Sequence, residues 1–372
     1  MKKRAIVSVT SDLVTDQRVH RTCLTLVDCG YKVLLIGRKK RDSIPLSERP
    51  YSTHRMNLIF EKGIFFYAEY QLRLLFKLYF KRCDLLFSND LDTLLPNYIT
   101  SKLRRSKLIY DSHEYFTGVP ELQDHPLKRK IWKLVERSVI PHLKLMITVN
   151  NSIAELYHRE YGIEIKTVRN LPLKATLTIR VKTKEELRIP VNTSMLILQG
   201  AGINIHRGAE EAVESMQWVN NAVLYIIGGG DAISALKLMV QKLNLEQKVI
   251  FIAKLPFEEL LQYTRCADIG LTLDKDTNLN YRYSLPNKLF DYIQAGVPVV
   301  ASPLPEVKKI VQQYQIGECI SSVTSQVIAA KLNELLTNTK QIRFYKLNAL
   351  KARDELCWEN ECKRLEEAIR NI

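Results

Sequence analysis

The stretch "SLPNKLFDYIQAGVPVVAS", residues 284–302, is the one from which the fold class is inferred. Its apolar periodicity predicts a buried helix that ends at a glycine turn and leads into a buried strand. Pro286 is typical of a helix start, so the helix is predicted to begin within 285–287. Its first turn then presents backbone amides together with Asn287 and Lys288. A buried helix followed directly by a buried strand is typical of parallel-sheet α/β folds.

Short apolar runs alternate with helix-length segments through most of the chain, as in successive βα units. The predicted strands cover 4–10, 32–38, 84–89, 107–112, 144–150, 194–200, 222–229, 248–253, 268–273, 297–302 and 316–320. The helices predicted in the first half cover 16–29, 64–82, 92–104, 126–142 and 151–161. A polar, proline-punctuated linker is predicted at 169–194. We therefore expect an α/β protein with two tandem Rossmann-like, doubly wound domains that face a central cleft.

Length and composition indicate a folded protein of the cell interior. With 372 residues and 46% hydrophobic residues, the chain has enough apolar material for two domains. No apolar run reaches the roughly 18 residues that a membrane span needs. The start "MKKRAIVSVT" predicts a short strand rather than a secretory signal. The 7 cysteines show no metal spacing and are expected to be reduced thiols, so a cytoplasmic location is predicted.

The basic charge is concentrated in the first half of the chain. Residues 1–175 hold 31 Lys and Arg against 18 Asp and Glu, while residues 176–372 hold 24 against 22. Such a basic half suits nucleic acid, an anionic membrane surface or a phosphorylated acceptor, although a generally basic proteome explains it too. A nucleic-acid-binding motif with interleaved aromatic residues is absent, which argues against the first of these partners.

Two glycine-rich loops follow predicted strands of the second half. "GAGINIHRG", residues 200–208, contains Gly200, Gly202 and Arg207 and could hold a phosphate, or could be a structural βα turn. "IIGGGD", residues 226–231, could bring backbone amides to a nucleotide, or could be a tight turn whose aspartate caps the next helix.

Asp291 lies one turn into the helix predicted after Pro286. Its carboxylate could complement the helix dipole or accept hydrogen bonds from the two hydroxyls of a ribose. Together with Arg207 and Lys288, it outlines a site for a nucleotide diphosphate, with phosphates on the two cations and helix amides.

The segment "NKLFDYIQAGVPVVAS" resembles the donor-site signature of the GT-B glycosyltransferases of family 4, the group 1 transferases. Other stretches are similar to that family's first domain: "DQRVHRTCLTLVDCGYKVLLIGR", "YDSHEYF" and "VERSVIPHLKLMITVNNSIAELYHREYG". The resemblance implies a retaining, metal-independent hexosyltransferase that moves a sugar from a nucleotide-diphosphate sugar to a glycan or lipid-linked acceptor in cell-surface polysaccharide synthesis. No cofactor and no bound metal are expected.

The resemblance assigns roles to individual residues. Arg207, Lys288 and His113 are the expected catalytic residues. The residues expected to bind the donor are Gly200, Gly202, Arg207, Gly228, Gly229, Gly230, Lys254, Asn287, Lys288, Leu289 and Asp291. Those expected at the acceptor and the transferred sugar are Asp16, Arg18, His113, Glu114 and Tyr283. Tyr283 stands where the family has its first glutamate, and "SDLVTDQRV" replaces the usual glycine pair after the first strand.

The predicted linker and the resemblance together give the domain boundaries. We expect an acceptor-binding domain at 1–172, a donor-binding domain at 173–340, and C-terminal helices at 341–372 that cross back to the first domain.

Two further patterns leave alternatives open. Asp90-x-Asp92 has the spacing of a metal-binding pair, but its position after a strand favours a helix cap. The segment 63–84 is aromatic, apolar and edged by basic residues, so it is either a core helix or an interfacial helix on an anionic membrane.

Two other function classes remain compatible with the sequence. A nucleotide-sugar epimerase of the same fold is the alternative enzyme. A non-catalytic nucleotide- or sugar-binding homologue is the alternative without an activity.

Overall fold

The computed structural model describes residues 2–14, 16–41, 43, 45–174 and 180–372. The chain divides into two compact units. The first unit comprises Met1–Asn170 and Glu359–Ile372, and the second comprises Leu171–Trp358. Residues 175–179 of the predicted linker lie outside the described residues.

The first unit is built on a parallel sheet of seven strands. Its strands are β1 (Arg4–Asp12), β2 (Lys32–Lys39), β3 (Ser52–Asn57), β4 (Leu85–Asn89), β5 (Lys107–Ser112), β6 (Met146–Thr148) and β7 (Ile165–Thr167). Its helices before the linker are α1 (Gln17–Asp28), α2 (Gly63–Tyr79), α3 (Leu91–Arg104), α4 (Pro120–Gln123), α5 (Pro126–Val139) and α6 (Asn151–Tyr161). The strand order β3-β2-β1-β4-β5-β6-β7 reverses direction between β1 and β4, which makes this pair the switch point of the sheet.

The second unit repeats this plan with six parallel strands. Its strands are β8 (Ser194–Gly200), β9 (Ala222–Gly228), β10 (Val249–Ile252), β11 (Ile269–Thr272), β12 (Val299–Ala301) and β13 (Gly317–Cys319). Its helices are α7 (Ala209–Ser215), α8 (Ile233–Lys242), α9 (Phe257–Cys266), α10 (Leu279–Arg282), α11 (Asn287–Ala295), α12 (Pro305–Tyr314), α13 (Ser325–Thr337) and α14 (Thr339–Glu355). The order β10-β9-β8-β11-β12-β13 places the switch point between β8 and β11.

All of the predicted strands overlap observed ones, so the α/β fold class is confirmed. The prediction missed two strands, β3 and β7, which lie at the two edges of the first sheet. Met56 is the single buried residue of β3, and β7 has none. An edge strand without a buried face has no apolar pattern to detect, whereas a central parallel strand is covered on both faces.

The central strands of the second unit show this two-sided burial directly. Leu196 and Leu198 of β8 pack into one hydrophobic cluster, while Met195 and Ile197 pack into another on the opposite face of the sheet. Because successive side chains of a strand point to opposite faces, an unbroken apolar run is what a covered sheet requires.

The segment 284–302 has the structure that its sequence predicts. Pro286 is the N-cap of α11, and Gly296 ends the helix with a left-handed φ of 71°. The left-handed φ favours glycine at position 296, and an added Cβ would lie 2.7 Å from the Leu350 side chain, which would have to shift. The chain then enters β12, whose three residues are buried.

The C-terminal helices differ from the predicted crossover of 341–372. Helix α14 belongs to the second unit, where Ala349 and Ala352 join the apolar cluster around α11 and Gln294 donates to the Arg353 and Leu356 carbonyl oxygens at 3.2 and 3.0 Å. The last helix, α15 (Trp358–Arg370), lies in the first unit from Glu359 onward. The return to the first unit therefore begins about one helix later than predicted, because the small residues of α14 pack into the second core.

Helix α2 has one buried and one exposed face. Phe66, Tyr70, Leu74 and Leu78 are buried in the first unit. Within the described part of the chain, neither α2 nor any other helix is long and apolar enough to cross a membrane.

Candidate functional site

The switch point of the second unit brings three charged side chains together. Arg207 lies in the loop after β8, Asp274 follows β11, and Lys288 lies in the first turn of α11. Arg207 Nη1 is 3.2 Å from Asp274 Oδ1, and Lys288 Nζ is 3.8 Å from Asp274 Oδ2. The Asp274 side chain is 1% exposed and Lys288 is 9% exposed, whereas Arg207 is 30% exposed. We call these three residues the Asp274 cluster.

The Asp274 cluster has an excess of positive charge. Burial lowers the pKa of Lys288, and the opposing attraction of Asp274 does not fully restore it. The Arg207 guanidinium also lies over the Tyr281 ring, 4.8 Å from its centroid, a favourable cation–π contact. Two cations on one buried carboxylate leave one positive charge over when Lys288 is protonated. An anion such as a diphosphate is the ligand that such a site favours.

Asp274 is the member of this cluster that sequence reasoning missed. It directly follows the predicted strand 268–273, so a carboxylate at the carboxyl end of a buried strand was the available signal. Its role depends on a contact with Arg207, 67 residues away, which the sequence alone does not reveal.

The two glycine-rich loops pack against each other. An added Cβ at Gly228 would lie 1.8 Å from the Gly200 carbonyl oxygen, and one at Gly230 would lie 2.2 Å from the Ile203 carbonyl oxygen. Ile203 N also donates to the Gly229 carbonyl oxygen at 2.8 Å. The glycines at 228 and 230 are therefore needed for close approach of two backbones, which is the structural alternative for this loop.

The structural alternative for the second loop predicted that Asp231 caps α8, but it does not. Its Oδ1 accepts a hydrogen bond from Ile205 N at 3.1 Å, and the N-cap residue is Ala232. The carboxylate therefore ties the two loops together. Gly202 and Gly229 have space around them: Gly229 has no atom within 4 Å of an added Cβ, and Gly202 has none closer than 3.6 Å.

Gly208 is required by its surroundings. It has a left-handed φ of 74°, and an added Cβ would lie 2.2 Å from the Leu273 carbonyl oxygen. This close approach brings the loop after β8 next to the residue that precedes Asp274, and so helps to place Arg207 beside that carboxylate.

The first turn of α11 places the predicted donor residues in different surroundings. Asn287 is exposed, but Leu289 is fully buried in the core, and its amide donates to the Pro286 carbonyl oxygen at 3.1 Å. The expected free amide at Leu289 is therefore already hydrogen-bonded. Asp291 is partly buried and accepts from Gln199 Nε2 at 3.3 Å.

Two predicted residues lie apart from these contacts. Lys254 is exposed after β10, and no ion pair among the described residues joins it to the Asp274 cluster. Tyr283 is partly exposed at the C-cap of α10, with the Arg282 guanidinium 5.9 Å from its ring centroid.

The switch point of the first unit carries a cation between carboxylates. His113 follows β5, and its Nδ1 lies 3.2 Å from Asp90 Oδ2 while its Nε2 lies 3.5 Å from Asp111 Oδ2. The His113 backbone N–H donates to Asp90 Oδ1 at 2.9 Å. Arg18 makes a two-pronged ion pair with Asp111, at 3.0 Å from Nε and 2.7 Å from Nη2. We call these four residues the His113 cluster.

The carboxylates set the charge of His113. Burial favours the neutral ring, but Asp90 and Asp111 outweigh it and raise the pKa of His113 well above its usual value. Burial likewise opposes the charge on Asp111, but Arg18 and His113 lower the pKa of that carboxyl to about 2. His113 Nε2 is buried and faces the Asp111 carboxylate. His113 is therefore an imidazolium held between two carboxylates, and a poor base.

The Asp90-x-Asp92 pair makes contacts that differ from those of both sequence-based alternatives, a helix cap and a metal-binding pair. Asp90 is the N-cap of α3 by position, but its side chain makes no cap hydrogen bond and serves His113 instead. Asp92 is buried and accepts from Thr10 Oγ1 at 2.5 Å, and burial with the nearby Asp90 charge raises the pKa of Asp92 to about 7. Among the described residues, no group of three or more His, Cys, Asp or Glu side chains is placed to hold a metal ion.

The remaining predicted residues of the first unit make contacts within that unit that hold its structure together. Asp16 is the N-cap of α1 and accepts from Val19 N at 3.1 Å. Arg18 was expected to face the substrates but is 4% exposed, because its guanidinium binds Asp111 and the Val168 carbonyl oxygen. Glu114 is partly buried, and its carbonyl oxygen accepts from Ser112 Oγ at 2.7 Å.

The protein is a two-unit α/β protein whose second unit carries two cations and a buried carboxylate at its switch point. Residues 183–351 match the family model "Glycosyl transferases group 1", and residues 16–171 match the model "Glycosyltransferase Family 4". The chain therefore belongs to the GT-B glycosyltransferases of family 4, the group 1 transferases.

One curated relative is a chitobiosyldiphosphodolichol beta-mannosyltransferase of Candida albicans. It is 25% identical over 279 residues, which are 69% of this chain. The match spans 60% of the length of that relative.

Solved structures share the fold over the whole chain. A sucrose-phosphate synthase from Thermosynechococcus elongatus has a TM-score of 0.83 at 15% identity and covers 100% of this chain and 99% of its own. HepE from Anabaena, in complex with UDP and glucose, has a TM-score of 0.77 at 13% identity, with 100% of both chains covered. At such low identity these likenesses describe the fold alone.

Proposed function

We propose that this glycosyltransferase is a retaining, metal-independent hexosyltransferase that uses a nucleotide-diphosphate sugar. The observation that carries the proposal is the Asp274 cluster, in which Arg207 and Lys288 converge at the switch point of the second unit. Two cations at the crevice beside a parallel sheet suit the diphosphate of such a donor. The UDP in the Anabaena HepE structure supports the choice of a nucleotide.

The proposed acceptor is a glycan or a lipid-linked sugar in cell-surface polysaccharide synthesis. The name of the Candida albicans relative includes a diphosphodolichol acceptor, which supports a lipid-linked substrate. The proposed location is the cytoplasm, with peripheral contact between the basic first unit and the inner face of the membrane.

The proposed chemistry follows from where charge develops. As the bond between the anomeric carbon and the diphosphate oxygen breaks, negative charge grows on the β-phosphate, and Arg207 and Lys288 stabilise it. The acceptor hydroxyl attacks from the same face of the sugar, and its proton passes to the leaving phosphate oxygen. This route needs no enzyme nucleophile, so isolation of a trapped glycosyl-enzyme would contradict it.

Three other residues have proposed ligand contacts. The His113 imidazolium contacts the transferred sugar. Asp291 accepts from ribose hydroxyls, with Gln199 holding its carboxylate. Tyr283, in the place of the usual glutamate, contacts the transferred sugar.

The test is incubation with labelled UDP-, GDP- and ADP-sugars, with and without membrane extract. We expect nucleotide release from one donor class and a labelled product that forms only with the extract. Both should persist in EDTA, because the proposed reaction needs no metal. An epimerase would convert the donor without an acceptor, and a non-catalytic binder would bind without release. Either result would contradict the proposal.

The anomeric configuration of the product tests the retaining mechanism separately. We expect the product to keep the configuration of the donor, measured by NMR of the purified glycoside. The Candida albicans relative is named for a beta-mannosyl product, so the comparison of product with donor is decisive whichever sugar is transferred.

A further inference from the structure

A basic cavity lies between the edge strand β3 and helix α2 of the first unit. Its volume is about 810 Å³. The residues that line it are His54, Arg55, Met56, Asn57, Arg73, Phe76, Lys77, Phe80 and Lys81. Five of these nine are basic types and none is acidic, so the cavity suits an anion. We call it the β3–α2 groove.

Two lysines of the β3–α2 groove are not engaged by carboxylates. Arg55 pairs with Asp12 at 2.9 Å, and Arg73 pairs with Glu69 at 2.7 Å. Lys77 and Lys81, in contrast, form no ion pair within the described part of the chain. Their charge acts on His54, which lines the groove. Burial is the largest cause that lowers the pKa of His54, and repulsion from Lys77 and Lys81 lowers it further.

An exposed apolar face of α2 adjoins the groove. Phe65, Leu72 and Phe76 are 65%, 57% and 63% exposed, and Phe80, just past the helix, is 75% exposed. At about 100° per residue these side chains fall on one side of the helix. Phe76 and Phe80 belong to both the face and the groove, so apolar and cationic surfaces are continuous there.

The opposite face of α2 is anchored in the first unit. Leu74 and Leu78 are fully buried, and the Tyr67 ring packs edge-on against Trp132 of α5 with centroids 5.2 Å apart. The exposed aromatic residues therefore sit on a fixed helix and do not depend on ordering of a loop. A helix with one apolar and one basic side exposed to solvent is the type that lies in a membrane interface.

We infer that the β3–α2 groove binds the phosphate group of an anionic membrane lipid, while the exposed face of α2 enters the lipid interface. The inference deepens the membrane contact of the proposed function by naming its site and its ligand. Charge complementarity selects an anionic lipid, since Lys77 and Lys81 lack carboxylate partners within the described residues. The adjoining Phe76 and Phe80 select a lipid rather than a free anion, because a soluble phosphate gains nothing from exposed aromatic rings.

The experiment is flotation of the full chain with vesicles of phosphatidylcholine alone or mixed with phosphatidylglycerol. We expect binding to the anionic vesicles only, weakened by added salt. Lys77→Ala/Lys81→Ala should reduce the affinity about 25-fold, since each lysine near an anionic surface contributes about fivefold. The matched control is Lys340→Ala/Lys351→Ala, two exposed lysines of α14, and should bind as the wild type does.

The apolar part of the site is tested on the same vesicles. Phe76→Ser/Phe80→Ser should weaken binding at least about tenfold, because both rings leave water on insertion. Leu238→Ser replaces an apolar residue of α8 that is 67% exposed, and should have no effect.

Several results would overturn the inference. These are equal binding to neutral vesicles, an equal loss in the control variants, or competition by inorganic phosphate as strong as by vesicles. A concentration-dependent dimer that the Phe76→Ser/Phe80→Ser variant abolishes would identify a second copy as the occupant instead.

Sugar transfer by the wild type to a detergent-solubilised acceptor separates this inference from the proposed function. Transfer without vesicle binding would overturn the inference alone. Vesicle binding without transfer would contradict the function alone.

Discussion

The charged clusters at the two switch points have opposite arrangements of charge. In the second unit a buried carboxylate, Asp274, lies between the cations Arg207 and Lys288. In the first unit a cation, His113, lies between the carboxylates Asp90 and Asp111. The sheets that carry them have the same strand order around their switch points, so the backbone plan does not decide which ligand charge each unit accepts.

The comparison teaches how one fold can carry clusters of different net charge. In the second unit two cations share one carboxylate, so a positive charge remains when Lys288 is protonated. In the first unit the charges of Arg18 and His113 are balanced by the two carboxylates.

The largest effect is expected from removal of a cation in the second unit. Lys288→Ala or Arg207→Ala should lower the turnover number about 10²–10³-fold, because each stabilises charge that develops on the leaving phosphate. The measurement is the rate of nucleotide release at saturating donor. Lys242→Ala, an exposed lysine of α8, is the control. A loss below threefold at both 207 and 288 would remove the cluster from the reaction.

The cation of the first unit is tested next. His113→Ala should lower the turnover number about 10²-fold by removing a positioned donor. Asp90→Asn should keep the ring but lower its pKa, since Asp90 is a main cause of the raised value. The imidazolium would then lose its proton at a lower pH than in the wild type. We therefore expect the alkaline limb of the pH–rate profile to move to lower pH in Asp90→Asn, and an unmoved limb would argue against a role for the protonated ring.

Asp274 is expected to position the two cations rather than to contact the reacting atoms. Asp274→Asn removes the charge that competes with the diphosphate but leaves Arg207 and Lys288 less firmly held. We expect tighter binding of the nucleoside diphosphate together with a turnover number about tenfold lower. Calorimetry and steady-state kinetics measure the two effects separately. If both affinity and turnover fall, Asp274 is only a folding residue.

The smallest effect concerns stability at the first switch point. The pKa of Asp92 is raised to about 7 in the folded state, so its contribution is fully present below its ordinary value of 3.8 and is lost as the pH rises through about 7. Asp92→Asn removes this dependence. The substitution should therefore raise the free energy of unfolding, relative to the wild type, by about 1–3 kcal/mol more at pH 8 than at pH 5.

Urea unfolding at the two pH values measures this difference. Asp124→Asn, an exposed carboxylate of the same unit, is the control and should show no such difference. A metal requirement that disappears in Asp92→Asn would instead favour the metal-binding reading of Asp90-x-Asp92.

The sequence was informative wherever burial leaves an apolar pattern. The eleven predicted strands and the helix of 284–302 were all recognised from such patterns. The edge strands β3 and β7 were missed because they have almost no buried residues and therefore no apolar pattern. The assignment of α14 to the second unit was missed because buried alanines such as Ala349 and Ala352 are compatible with a helix of either unit.

The site was predictable only as separate parts. Arg207 was identified from a loop after a strand, Lys288 from the first turn of a helix, and His113 from the family resemblance. Their partners were not, because Asp274 and Asp111 acquire roles through contacts across 67 and 93 residues of sequence. Glycines 228 and 230 show the converse limit: a loop that resembles a nucleotide cradle is explained by packing against a neighbouring loop.

The central claim is that the Asp274 cluster binds the diphosphate of the donor. The most direct measurement is calorimetric titration of UDP, GDP and ADP into the wild type, Arg207→Ala and Lys288→Ala, in EDTA. We predict that one nucleotide binds the wild type with a micromolar Kd and that each substitution weakens it at least about tenfold, as loss of one charge-assisted contact should. Equal affinity in all three proteins, or no binding to any of them, would contradict the account.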